Sequence, residues 1–306
     1  METRIKKLPT KGVFLPTPWP SSYWPIYQDG INYVWSNGQP SASEKYAKAY
    51  GLNVNQFTEA VSKSNGVLSQ MTRKAACGKR AGQKTGYCIP TWFGICHAWS
   101  PAAILEPEPR CAVTQNGVTF QPLDIKALVT DIYDGANVET DRWGRHVDPA
   151  YRDLGPGFFH IAVTNILGRF KKSFIVDVTA DSEVWNQPVR GFQVKEQKRF
   201  KPKDAAKTFY ATNAYPFNNK ASSIDGPLVD TGRADAYTTG ADYTYLLELD
   251  SKDNIIGGEW LWASNDNHPD FLWFPKTTPS PNTVTKTGLS YKNVKDLVTR
   301  SNKCQK

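Results

Sequence analysis

The chain has 306 residues, 40% of them hydrophobic and 22% charged, which is enough apolar content for a real core and argues against a disordered chain. Lys and Arg number 37 against 29 Asp and Glu, but the net charge of +8 is scattered. Its one dense run, Lys195, Lys198, Arg199, Lys201 and Lys203, reads as a solvated face, so nucleic acid is not an expected partner. No apolar run approaches the ~20 residues of a membrane-spanning helix, and no apolar stretch follows the charged first ten residues, so neither a membrane span nor a signal peptide is expected in this chain.

The opening segment, 1–40, is rich in Pro, Trp, Tyr and Gly and reads as irregular structure packed by aromatics. Ser41 with Glu44 three positions on predicts a capped helix through Tyr46, Ala47, Ala49 and Tyr50. Phe57, Val61 and Val67 recur at helical spacing and predict a second helix over 54–70. The basic, Gly-rich stretch 72–90 reads as loop. A helix is predicted from Cys96 to Leu105, stopped by Glu106-Pro107-Glu108-Pro109, and another over 122–133. Beyond a turn-rich stretch, 134–157, the apolar runs Phe158–Ile166 and Ser173–Val178 read as the strands of a hairpin. A second hairpin is predicted from Tyr243–Leu249 and Ile255–Trp262 around Asp250-Ser-Lys-Asp-Asn254. The Thr-, Pro- and Lys-rich tail, 276–306, reads as loosely structured. Helices first and antiparallel strands later indicate an α+β fold, with residues 41–275 as its main domain.

Five cysteines leave one unpaired, and in a secreted protein an odd Cys is a reactive thiol or an intermolecular partner. Cys96 stands where a loop enters a helix, in Gly94-Ile-Cys96-His-Ala-Trp-Ser100. Unpaired N–H groups and the positive dipole end there lower a thiol pKa and can bind an oxyanion. The chain has four histidines to exchange protons with such a thiolate. His97 adjoins Cys96 and points elsewhere, His146 lies in a polar turn, and His268 precedes Pro269 and Asp270. His160 opens an apolar run and so needs a polar partner, which the expected hairpin supplies as Asp177, with Asp181 in reserve. A structural His–Asp pair is the competing reading of the same pattern.

Cys, His and Asp in this order, with the Cys opening a helix, resemble the papain-like superfamily, whose nucleophile helix reads Cys-Trp-Ala-Phe-Ser. The oxyanion Gln that family carries six positions earlier is Pro90 here, and Gln83 or Lys84 in the preceding loop is the substitute. Val184-Trp-Asn-Gln-Pro-Val-Arg-Gly-Phe192 resembles the thirteen-residue elicitor peptide of the Phytophthora transglutaminase elicitors, an oomycete family. Within 184–196 this chain departs at Gln193 and Lys195, where members usually have Lys and Tyr. Tyr151–Pro156, Phe159–Ala162, Ile255–Trp260 and His268–Trp273 also resemble stretches of that family.

The resemblance implies a secreted, calcium-dependent transglutaminase with a papain-like core, detected by a plant immune receptor through the elicitor segment, where Trp185 and Pro188 matter most. Its substrates would be proteins bearing Gln and Lys, cross-linked through a Cys96 thioester with His160 moving protons and Asp177 orienting it. His268 is held in reserve, and Trp92 and Trp99 are expected to wall a channel for the Lys stem. No calcium site follows from an EF-hand pattern, although the acidic stretches 131–141 and 250–254 carry hard oxygen ligands. A papain-like protease and a non-catalytic elicitor or adhesion module are the alternatives. With Cys96 free, Cys77, Cys88, Cys111 and Cys304 allow three pairings, of which Cys77 with Cys88 and Cys111 with Cys304 is expected.

Overall fold

The structure is a computed structural model describing residues 1–64, 75–78, 87–136, 138, 140–144, 154–195, 198–199, 203–212 and 224–304, with backbone alone at 75–78, 87–88, 142–144, 198–199 and 203–212. In chain order its first elements are β1 (Lys11–Val13), α1 (Ala42–Ala49), α2 (Val54–Ser64), β2 (Ala75–Gly78), β3 (Tyr87–Pro90) and α3 (Cys96–Leu105), then β4 (Val113–Gln115), β5 (Val118–Phe120) and α4 (Pro122–Gly135). There follow β6 (Thr140–Gly144), α5 (Pro156–Val163), β7 (Ile175–Asp177), β8 (Asn186–Gln193), β9 (Lys198–Arg199) and β10 (Lys203–Thr212). The chain ends with β11 (Thr238–Leu249), β12 (Ile255–Trp260), α6 (Ala263–Asp266), β13 (Phe271–Pro275) and α7 (Tyr291–Ser301). These elements form two compact units, and the fold is α+β.

The helical unit comprises Trp19–Val138, Ala214–Arg233 and Thr277–Lys306. The capping box forms as expected at α1: Ser41 Oγ accepts from Glu44 N at 3.3 Å, and the Glu44 carboxylate accepts from Ser41 N at 2.7 Å. α4 opens with Pro122 at its first position, and Asp124 accepts from Gln121 N at 2.7 Å. Two buried ammonium groups tie this unit together around α4. Lys45 of α1 pairs with Asp124 at 2.5 Å, and Trp35 Nε1 donates to the same carboxylate at 2.8 Å. Lys126 has no exposed side chain; its Nζ donates to Glu108 Oε1 at 2.7 Å and to the carbonyls of Pro20, Ile224 and Gly226.

Two expectations for this unit are overturned. The tail is not loose: α7 buries Tyr291, Val294, Leu297 and Val298, a helical spacing that the surrounding Thr, Pro and Lys obscure. Tyr291 Oη donates to Glu106 at 2.5 Å, Lys295 pairs with the same carboxylate, and a Cys111–Cys304 disulfide closes the end. The stretch read as loop holds an antiparallel hairpin, β2 with β3, in which Cys77 stands opposite Cys88. Whether those two sulfurs are joined lies outside the described residues.

The sheet unit comprises Met1–Pro18, Glu139–Asn213 and Ala234–Lys276. Its antiparallel sheet runs β12-β11-β10-β8-β7-β13-β6, with β1 added to β8 and β9 to β10. The expected β11–β12 hairpin forms, with Tyr245 opposite Trp260. The expected 158–166 strand does not. It is the helix α5, continued by a π-helical turn over Thr164–Arg169. Pro156 at the first turn starts it, and Phe159, Ala162, Val163 and Ile166 carry its buried stripe; because Gly157 and His160 are buried as well, the run lost its amphipathic signature.

Replacing Lys126 by Met is expected to cost ~3–5 kcal/mol, because it strands Glu108 without its counter-charge in the interior. The double variant Lys126→Met, Glu108→Gln should recover part of that loss. Urea unfolding midpoints of the three proteins check both expectations.

Candidate active site

In the helical unit Cys96 is the first residue of α3, 4% exposed, and is in no disulfide among the described residues. The residue before it, Ile95, offers no side-chain cap, so the first N–H groups of the helix take no partner from it. The loop leading in is pinned at three points: Ile95 N donates to Tyr23 O at 2.8 Å, Ile26 N to Phe93 O at 2.8 Å, and Tyr23 Oη to Thr91 O at 2.7 Å. Gly94 permits this approach, since a Cβ there would fall 2.5 Å from Tyr23 O. These bonds hold the thiol at the positive end of the α3 dipole.

The neighbours of Cys96 divide between core and surface. Trp99 is fully buried and donates to Trp19 O at 3.2 Å, so it is a core residue and not a channel wall. Trp92 is half-buried, edge-on to Phe93 with centroids 4.4 Å apart. His97 is exposed, and its Nε2 lies 2.9 Å from Asp134 Oδ1. Gln83 and Lys84, named for the oxyanion, and His146 lie outside the described residues.

In the sheet unit the expected His160–Asp177 hydrogen bond is absent. His160 rides on α5, not on a strand beside β7, and its Nδ1 meets Tyr245 Oη at 2.8 Å. It is 3% exposed, and burial pushes its pKa down to about 4. Asp177 on β7 faces Asn186 of β8, and its Oδ1 accepts from Trp185 N at 2.8 Å, while Oδ2 is buried with no hydrogen bond. Burial raises the Asp177 pKa to about 7 against the pull of the Trp185 and Thr179 N–H groups, and Asp270 and Asp181 add to the rise. Asp181 is exposed and caps a turn, accepting from Glu183 N at 2.7 Å.

His268, the reserve, has the more useful geometry. Its ring stacks on Trp260 at 5.1 Å and 19°, and Nδ1 lies 3.0 Å from Ser264 O. A carbonyl can only accept, so Nδ1 carries the proton and a neutral His268 keeps its lone pair on Nε2. Only the fold shows this, because Ser264 sits on the short helix α6 that no local signal announced.

The elicitor-like segment is structural as well. Its strand, β8, pairs with β7, β10 and β1. Asn186 to Val189 are buried, Trp185 is half-buried, and Pro188 stands opposite Ile175. Of the two departures, Gln193 is exposed, and Lys195 pairs at the surface with Asp242 at 2.8 Å.

Among the described residues no three His, Cys, Asp or Glu side chains cluster as metal ligands. The Asp250 turn is spent on itself: its carboxylate accepts from Lys252 N, Asn254 N and Asn254 Nδ2, each at 2.8 Å. Asp131 differs. It is 4% exposed, lines a cavity with Asp134, and among the described residues forms no hydrogen bond or ion pair. An orphaned carboxylate beside a second one, lined by hydroxyls, fits a hard cation.

The family model for transglutaminase elicitors matches residues 1–304. Among solved structures the chain is similar to the GP42 transglutaminase from Phytophthora sojae, at 48% identity and a TM-score of 0.90, over 100% of this chain and 95% of that one. Curated proteins return no match.

The Asp177 pKa is raised in the fold, so its contribution is stabilising below the ordinary value of 3.8 and is lost as pH rises through about 7. Asp177→Asn does not titrate. Its melting temperature relative to the parent should therefore climb between pH 5 and pH 8, and scanning calorimetry at both pH values reads the difference; a flat difference contradicts the raised pKa.

Proposed function

Because the chain belongs to the transglutaminase elicitor family, we propose that it is a secreted transglutaminase that joins protein-bound Gln to Lys, with Cys96 as nucleophile. The observation that carries this reading is the buried thiol at the first position of α3, outside any disulfide and on a loop held by Tyr23, while Cys111 and Cys304 are bonded to each other. That disulfide fits an oxidising compartment.

In this scheme the Cys96 thiolate attacks the Gln side-chain carboxamide. The C–S bond forms, the C–N bond breaks, and ammonia leaves with a proton from an imidazolium. N–H groups at the start of α3 face the developing oxyanion. A Lys amine then attacks the thioester, the imidazole takes its proton, and the thiolate departs as the isopeptide forms. The imidazole must be basic near neutral pH. His160, with its pKa near 4, is poorly matched to that task, whereas His268 holds the required tautomer. We assign the proton transfers to His268 and leave His160 and Asp177 as positioning residues of the sheet unit. Trp92 stays a candidate for the channel. Calcium enters no step; Asp131 and Asp134 are the described carboxylates that would hold it, and its charge would offset theirs.

Incubation with a Gln-bearing protein and a fluorescent primary amine tests the scheme. Incorporation should fall at least ~10³-fold in Cys96→Ser and ~10²-fold or more in His268→Gln. His160→Gln should lower thermal stability more than turnover. Backbone cleavage without incorporation would instead identify a cysteine protease, and neither activity would leave a non-catalytic module.

The elicitor role goes with a constraint. If a plant receptor reads Trp185 and Pro188, it reads side chains that the folded sheet half or wholly covers. Limited proteolysis or heating should therefore raise the elicitor response per mole towards that of a synthetic 184–196 peptide. Equal potency of the intact protein would mean that recognition uses the exposed end, Gln193 to Lys195.

A further inference from the structure

An imidazole that moves protons must be held in one tautomer and one orientation, ordinarily by a carboxylate. Asp177, expected in that role, bonds to the Trp185 N–H instead. Among the described residues no carboxylate bonds to His268, and its one hydrogen bond runs to Ser264 O at 3.0 Å. The carbonyl itself is well fixed. Thr244 of β11 donates its N–H to Ser264 Oγ at 2.8 Å, and its carbonyl accepts from Leu261 N at 2.9 Å. Between those two anchors the chain passes through Trp262 at φ 52° and ψ −130°, a conformation costly for any residue but glycine. The Trp262 side chain is 76% exposed, so the strain serves the turn that places Ser264 and not the packing of that indole.

One hydrogen bond still leaves a ring free to pivot, because the terminal torsion of a histidine is broad. The second constraint is the Trp260 indole, stacked on the imidazole with centroids 5.1 Å apart and planes 19° from parallel. That indole is held from several sides. Its Nε1 donates to Leu154 O at 3.0 Å, and Tyr245, its partner across β11 and β12, meets it edge-on at 5.3 Å. Phe159 and Tyr243 pack against it at 5.7 and 5.8 Å. Tyr245 is anchored in turn at its hydroxyl by His160 Nδ1, which gives that buried histidine a use. Leu154 closes the circuit, since its N–H donates to Asp270 O at 3.1 Å, two residues beyond His268. Indole and imidazole are thus tied to the same stretch of backbone.

We infer that a carbonyl and an indole, with no carboxylate, aim the His268 imidazole: Ser264 O sets the tautomer and Trp260 is the positioning residue that sets the plane of the ring. The inference rests on the proton-transfer role given to His268 above. The same indole face attracts the imidazolium that forms when Nε2 takes a proton.

The full chain is compared with Trp260→Phe, which keeps a flat ring, and Trp260→Leu, which does not. In the amine-incorporation assay Trp260→Leu should lower kcat about tenfold or more with KM held within about twofold, and Trp260→Phe should recover most of the loss. Nitrogen-15 NMR of the imidazoles reads the orientation without turnover, in the Cys96→Ser background with His268 assigned from His268→Gln. The neutral ring should be a single Nδ1–H tautomer in the parent and a mixture of both tautomers in Trp260→Leu. An unchanged tautomer in Trp260→Leu, or equal losses of kcat in both variants that follow their melting temperatures, overturns the inference. Full incorporation by His268→Gln would overturn the role given to His268, and the NMR comparison would still support or overturn the clamp.

Discussion

The helical unit depends on a cation that water never reaches. An unpaired buried ammonium is costly, and Lys126 is stable inside only because Glu108 and three carbonyls surround it. Those partners come from segments far apart in sequence, around Pro20, Glu108 and Ile224 to Gly226, and each must close on α4 to satisfy the charge. Trp19, whose ring lies 5.8 Å from the Lys126 Nζ, donates to Glu106 O and accepts from Trp99. The position of α3, and with it Cys96, thus follows from satisfying one lysine. Burial pulls that lysine's pKa below its usual range while the Glu108 carboxylate opposes the shift.

The sheet unit places a comparable load on β8. It is bonded to three strands at once, and Asp177 on its neighbour β7 takes the Trp185 N–H at its entry. Trp273 Nε1 donates to Asn186 Oδ1 at 2.7 Å, so β13 reads the same strand by side chain. A segment so deeply shared tolerates change at its exposed end alone, which is where Gln193 and Lys195 depart from the family pattern. Lys195 makes a surface ion pair with Asp242, a contact of little energetic weight to the sheet.

What could be read in advance were features with a local cause. The Ser41–Glu44 box, Pro122 at the head of α4, the Pro-rich stop after Leu105 and the β11–β12 turn each carry their reason within a few residues. α5 failed because burial on most sides erases the contrast on which periodicity depends, and its loss took the His160–Asp177 hydrogen bond with it. The spacing of Tyr291, Val294, Leu297 and Val298 in α7 is masked by the Thr-, Pro- and Lys-rich composition around it. Cys96 was legible since a helix start is a local event. His268 was only half legible: the residue was visible, but the Ser264 carbonyl that sets its tautomer is placed by the fold. The two acidic stretches looked alike in sequence, and only the hydrogen bonds show that Asp250 is consumed while Asp131 is not.

The residues with unfinished chemistry stand where local rules are broken. α3 begins on Ile95, which gives no side-chain cap where a Ser or Asp would, with Cys96 as its first residue. α4 ends with Asp131 and Asp134 near its last turn, where a Lys would suit the dipole. Asp177 keeps one oxygen unbonded inside a sheet whose other polar groups are largely paired. Each violation destabilises the isolated chain, and the surrounding network of buried lysines, paired strands and the Cys111–Cys304 bond is what lets the fold carry all three. Stability and reactivity are therefore supplied by different residues, and a substitution at Lys126 or β13 should damage the site without touching any group that does chemistry.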